Sequence, residues 1–507
     1  MGDKCADNGT RTIASNTILL YVRTIIVMII TLYVSRLILQ SLGVVDFGIY
    51  NAVGGIVAMF GVISNSLIAA TQRFITFELG KPDGRTSYVF SLSTGLHIFI
   101  VLVVLILGET IGTWFLNTQM NFPSERLVAV NCIFQFTLFT FIIQILSISY
   151  SALVIAKEKM SFFALVSIVE AFLKLIIALI LLNYDRDRLI FYGFLMALLS
   201  FISFSMYYFY CKHYYKKDCR VKLIKNLQEY KIMGAFVGWN FFGTTTTVLT
   251  KQGTNILINI FFGVVVNAGR GVAVQVDNAV NQFISSFTTA IRPQITKTYA
   301  AGDYNRCFYL VNAGTKIIMY LSCLLIFPLS FMCNEILRLW LVAVPDYAVI
   351  FTQLSLIMIA FDALSLPLYY LMLSTGNIKN YQLVAGSLGL LVFPFIWLLF
   401  SLGCRPEVTY YVIIGYDLFR WCLQLLYLRT IAKFPIITYL KDAMVRVAFM
   451  LAVGVLNYSI WRLLFQEGLL ELILYVCVSS LIQCLLILIF GLSSNERQSL
   501  IKYLFKK

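Results

Sequence analysis

LILQSLGVV (37–45) returns as LINIFFGVV (257–265), an offset of 220 residues. Held without gaps, the same offset brings Ser66, Ala70, Ile75, Thr76 and Asp83 onto Ser286, Ala290, Ile295, Thr296 and Asp303. Ten identities in the 47 positions 37–83 make a thin match, but it keeps a loop, an apolar segment and the next loop in register. A self-match at one fixed offset is the mark of a duplicated structural unit.

What is duplicated follows from composition. The chain has 507 residues, 60% hydrophobic and 12% charged, with a mean hydropathy of +0.85. That is the composition of a polytopic membrane protein. Fourteen apolar stretches are long enough to span a bilayer, at roughly 15–40, 46–70, 88–112, 128–155, 161–183, 189–211, 232–262, 264–290, 308–333, 346–373, 381–402, 407–428, 443–464 and 468–492. The connections are short and hold no soluble domain. Six stretches fall within one offset. Six is even, so the two copies cross the membrane in the same sense, related about its normal. The expectation is an all-α polytopic membrane protein of about 14 transmembrane helices. It has two parallel-repeat six-helix lobes around a central cleft, plus two C-terminal helices. The expected boundaries are 1–211 for the first lobe, 212–231 for a basic cytoplasmic linker, 232–428 for the second lobe and 429–507 for the last two spans and a tail.

Lys and Arg outnumber Asp and Glu by 39 to 24, for a net charge of +15. The excess is one-sided. Loops on the side of both termini include KPDGR (81–85), AKEKM (156–160), CKHYYKKDCRVKLIK (211–225) and IKYLFKK (501–507), and that side carries 25 of the 39. The other side has Arg126, Arg186, Arg188, Arg338, Arg405 and Arg462. By the positive-inside rule both termini are expected in the cytoplasm. The charge is therefore read as topology, with no nucleic-acid partner. The 11 cysteines form no CxxC or Cys/His cluster, so neither a metal site nor a cofactor is expected. No cleavable signal peptide is expected, since Arg23 interrupts its apolar region.

Charges inside the spans are the candidate site. Arg23 and Arg36 lie 13 residues apart on the first span, about 20 Å of rise and roughly 140° around the helix. An isolated arginine at mid-bilayer costs roughly 2.5–3.5 kcal/mol on insertion scales. Two cations at successive depths suit a path for an anion; the plain alternative is that each snorkels to its nearer surface. Lys251 closes the run GTTTTVLTK, and Arg270 sits between Gly269 and Gly271 on the spans that open the second lobe. These glycines leave room for a bulky head group or for another backbone. Thr244–Thr247 offer hydroxyls to a polar cargo or to their own helix. Asp277 and Asp362 have no partner at helical spacing and are candidates for proton or sodium coupling. Glu170 with Lys174, and Asp417 with Arg420, are spaced to neutralise each other. His97 and Lys316 each follow a glycine by two residues in spans matched by the repeat.

LGVVDFGIYNAVGGIVAMF (42–60) and NSLIAATQRFITFELGK (65–81), with 14 spans and basic residues in spans 1, 7 and 8, resemble the multidrug/oligosaccharidyl-lipid/polysaccharide (MOP) exporter superfamily. Within it the stretch resembles the polysaccharide-biosynthesis branch, the O-antigen flippases. The resemblance implies a bacterial inner-membrane protein. It implies that an undecaprenyl-pyrophosphate-linked oligosaccharide crosses from the cytoplasmic to the periplasmic leaflet by alternating access. Membrane lipid, a polysaccharide polymerase and glycosyltransferases are the partners it implies. Arg23, Arg36, Lys251 and Arg270 would line the cavity for pyrophosphate and glycan, because a guanidinium grips such oxygens with two parallel bonds.

Two other functions stand against that one. An ion-coupled multidrug antiporter of the same superfamily would use a cavity rich in acids. A membrane glycan polymerase or glycosyltransferase would need catalytic residues in a sizeable outer loop. The longest such loop, about 113–127, carries Glu125 as its one acid.

Overall fold

The repeated glycine is where both halves of the chain bend. Helix α1 (Gly2–Met59) leaves helical conformation at Gly43, with φ 72° and ψ 173°. Helix α8 (Leu227–Ala300) does so at Gly263, with φ 78° and ψ −177°. This corner of backbone space is open essentially to glycine alone. A Cβ at either position would meet nothing within 4 Å, so glycine is there for its backbone freedom and not to relieve crowding. Each long helix is thus two helical arms joined by one residue. The structure is a computed structural model. It describes residues 2–493 apart from 60, 119–121, 123, 223, 342–343 and 465–467, together with residue 497. Side chains are described from residue 15 onward, leaving out those of Lys251, of residue 469 and of some others within 32–60 and 251–268.

After its bend the first half continues through α2 (Gly61–Gly80), α3 (Thr86–Leu107), a π-helical turn at Gly108–Gly112, α4 (Thr113–Thr118), α5 (Leu127–Ala156), α6 (Met160–Leu182) and α7 (Arg188–Tyr214). The second half follows α8 with α9 (Tyr304–Phe331), α10 (Cys333–Trp340), α11 (Ala348–Thr375), α12 (Lys379–Ser401) and α13 (Val408–Ile431). The offset of 220 holds along the halves. It takes the end of α2 at Gly80 to that of α8 at Ala300, and the start of α7 at Arg188 to that of α13 at Val408. The matched residues of the repeat are buried in both copies: Leu37 and Leu257, Ile38 and Ile258, Ser66 and Ser286, Ala70 and Ala290, Ile75 and Ile295. Even a side-chain bond back onto the preceding helical turn repeats. Ser66 Oγ donates to Val62 O at 2.9 Å and Ser286 Oγ to Gln282 O at 3.0 Å. The fold is all-α, with two six-helix lobes and a C-terminal pair, as the sequence led us to expect.

That pair is α14 (Ile436–Tyr439) running by a π-helical turn into α15 (Val445–Leu464), and α16 (Leu469–Leu486). It belongs to the second lobe. Tyr458 and Tyr475 are fully buried against Phe327 of α9, and Gly454 lets the Phe327 ring come close. Asn457 Nδ2 donates to Ser479 O at 2.9 Å, so the polar side chain between α15 and α16 is satisfied by backbone.

Ten of the described helices are long and apolar enough to cross a membrane. The sequence count was 14. The stretches outside the ten are the one after Gly43, both arms of α8, and α13. Three of the four are polar: the arms of α8 carry Arg270, Asp277 and Arg292, and α13 carries Asp417 and Arg420. The domain boundary also differs from the expected linker at 212–231. The chain divides into Asn16–Thr244, and Thr245–Lys507 with Met1–Ser15. The boundary falls inside α8 because its opening turns pack on the first lobe. There Phe236 meets Phe74 edge-on at 5.5 Å, and Gly95 lies against the Tyr230 ring.

Candidate functional site

In the first lobe Arg23 is half-buried and leans on one face of α6. Its Nη2 donates to Ser167 Oγ at 2.9 Å, and its guanidinium lies 5.5 Å from the Phe163 ring centre. Glu170 and Tyr207 are within electrostatic reach. Residues 163, 167 and 170 fall on successive turns of α6, so a single stripe of that helix receives the arginine. Nε is buried with no hydrogen-bond partner among the described residues. The arginine is therefore held by a hydroxyl and a ring, with its charge incompletely matched. Arg36 is exposed. The Lys251 side chain lies outside the described residues.

His97 is fully buried and sits between two hydroxyls, Thr71 Oγ1 at 3.1 Å from Nε2 and Ser149 Oγ at 3.0 Å from Nδ1. It closes a polar contact among α2, α3 and α5. Lys316 on α9 is likewise buried.

In the second lobe Arg270 is 5% exposed. Its Nη2 donates to Thr254 Oγ1 at 2.6 Å, across the Gly263 bend. The guanidinium stands 5.6 Å from the ring centre of Tyr410 on α13. Arg270 thereby ties the two arms of α8 to each other and to α13. The first lobe uses a neutral pair at the matching place: Tyr50, 220 residues before Arg270, packs on Tyr192 of α7 with ring centres 4.7 Å apart. Of the two flanking glycines, Gly269 admits another backbone, since a Cβ there would lie 2.4 Å from Asp346 O. Gly271 faces open space. In the Thr244–Thr247 run, Thr244 Oγ1 donates to Asn240 O at 2.8 Å, on its own helix.

The two acids with no charged partner at helical spacing both find partners in the fold. Asp277 Oδ1 accepts from Asn281 Nδ2 at 2.9 Å, one turn on. Asp362 of α11 is bonded to Arg420 of α13. Arg420 also reaches Asp417 at 3.1 Å, as the helical spacing indicated. A second helix thus supplies Asp362 with the partner its own helix lacks, and the cluster holds two carboxylates on one guanidinium. Two further arginines carry no sequence signal of pairing. Arg292 lies 5.4 Å from the Tyr370 ring centre. Arg126 Nε donates to Asp46 Oδ1 at 3.0 Å and its Nη1 to Asp187 Oδ2 at 2.8 Å. Arg126 thereby joins the starts of three spans just after the Gly43 bend. Arg188 Nη1 adds a bond to Ser41 O at 3.1 Å.

No family model and no curated protein matches the chain. Solved structures match over most of their length. An outward-facing multidrug resistance MATE family transporter of the MOP superfamily aligns over 84% of this chain and 96% of its own, with TM-score 0.70 and 11% identity. A mutant of the Vibrio cholerae MATE transporter VcmN aligns over 84% and 98%, with TM-score 0.67 and 15% identity. A MOP superfamily transporter from Pyrococcus furiosus aligns over 82% and 95%, with TM-score 0.64 and 10% identity; reversed polarity of its binding pocket is held to suggest a different function. The chain has the fold of the MATE transporters of the MOP superfamily.

Proposed function

We propose that the protein is a membrane transporter working by alternating access, and that its cargo is anionic, a polyprenyl-pyrophosphate-linked oligosaccharide. The observation that carries this reading is Arg23. A cation on an apolar span, held by one hydroxyl and one ring, is poised to take a diphosphate oxygen in place of its weak partners. Arg36, Lys251 and Arg270 are proposed to continue the path. Arg270 is engaged by Thr254 and Tyr410 of its own lobe, so it would act by holding α8 and α13 as much as by touching cargo.

A second reading, an ion-coupled multidrug antiporter, is favoured by the solved neighbours, which back it more directly than they back a flippase. Asp277, within electrostatic reach of Arg270, and Asp362 are its candidate coupling residues. Asp362 would have to release Arg420 before taking up a proton or sodium. Purified protein in liposomes separates the two. A fluorescent polyprenyl-pyrophosphate oligosaccharide should change leaflet with wild type and stay put with Arg23→Gln. If wild type leaves that lipid unmoved but expels ethidium on an imposed ion gradient, and Asp277→Asn abolishes the efflux, the antiporter reading replaces the first.

A further inference from the structure

We infer that the segment 212–225 is a docking surface for anionic phospholipid headgroups, held rigidly against the first lobe. Six of its 14 residues are Lys or Arg: Lys212, Lys216, Lys217, Arg220, Lys222 and Lys225. All six are exposed, as is His213. The one acid, Asp218, is engaged by Lys157 at 2.8 Å, so it does not offset the six. Tyr214, Val221 and the following Leu227 are 64%, 54% and 74% exposed. Cations interleaved with apolar side chains immediately beyond a span fit a leaflet surface, where phosphates meet the charges and the first methylenes meet the apolar groups.

What sets this segment apart from a flexible basic tether is its backbone. Ser91 Oγ donates to Arg220 O at 2.7 Å and accepts from Lys222 N at 3.1 Å. Cys219 is buried, with its N–H on Tyr215 O at 3.0 Å and its Sγ on Cys211 O at 3.4 Å. Lys157 Nζ also lies 5.5 Å from the Tyr215 ring centre. The segment is thereby pinned to α3 and to the turn after α5. The backbone that carries its cations is held in place, so they bind headgroups without first losing the freedom of a loose chain. This surface is independent of which cargo is carried.

The full-length protein, purified in detergent with equimolar phosphatidylglycerol and phosphatidylethanolamine, tests the inference by native mass spectrometry of retained lipid. Wild type should retain phosphatidylglycerol preferentially. Lys216→Gln with Lys217→Gln should lower that preference by about 25-fold, at about fivefold per cation removed. Exchanging the same two for Arg should preserve it, as should Arg338→Gln with Arg405→Gln, which removes exposed charge from the other lobe. A thermal melt matching wild type excludes misfolding. Equal retention of both lipids by wild type, or an unchanged preference in the double Gln variant, overturns the inference.

Discussion

Arg420 of α13 donates to the carboxylate of Asp362 on α11 while also holding Asp417 one turn back on its own helix. Two acids share one guanidinium in the second lobe, and Asp417 is only 6% exposed at its side chain. Removing the shared cation leaves both carboxylates in a poorly hydrated place. Arg420→Gln should destabilise the protein by about 3 kcal/mol. Adding Asp362→Asn should recover part of that loss, because one of the stranded charges goes with it. Thermal melts in detergent for the two singles and the double check this. Strict additivity would mean the pair does not interact.

The two bends make a parallel prediction. Gly43→Ala and Gly263→Ala place a Cβ in a backbone region that non-glycine residues occupy at a cost of order 1–3 kcal/mol. Neighbouring atoms do not crowd either site, so the loss should be nearly the same in both variants. Unequal melting shifts would show that the two bends are not conformational equivalents.

Arg23 distinguishes binding from folding. Its partners are a hydroxyl and a ring, and its Nε is unsatisfied. Arg23→Gln should therefore leave the melting temperature at or slightly above wild type. Transport should fall by roughly ten- to a hundredfold, the value of one charge-assisted bond of about 1.5–3 kcal/mol. Ser167→Ala should cost transport much less. A large loss of stability in Arg23→Gln would make the arginine a structural member.

Acid should undo the bridge through Arg126. Burial raises the affinity of the Asp187 carboxyl for its proton, but the Arg126 hydrogen bond, the Ile190 and Leu189 N–H groups and the Arg126 charge together outweigh it, and the group lies below its ordinary value of 3.8. A carboxyl lowered on folding contributes stability in full above the unfolded value and loses it as pH falls through the folded one. The melting difference between wild type and Arg126→Gln should thus be constant above about pH 5 and shrink below about pH 4. A gap unchanged down to about pH 3 would remove electrostatics from the account.

Hydropathy and the 220-residue offset were enough, on the sequence alone, to determine an all-helical membrane protein of two like halves and a C-terminal pair. Both properties are local or periodic: an apolar run long enough to span, and the same glycine at the same place in each copy. Which charges meet was left to the tertiary structure. Spacing of three or four residues finds Asp417 and Arg420 because one helix turn brings them together. It cannot find Asp362 on Arg420, 58 residues away, Arg126 on Asp46, 80 away, or Arg23 on Ser167, 144 away. Those partners depend on which helix faces which, a property of packing that no single stretch of sequence carries. The same holds for the basic linker, whose charge is plain in the sequence. Its fixed placement needs the hydroxyl of Ser91, 129 residues from Arg220.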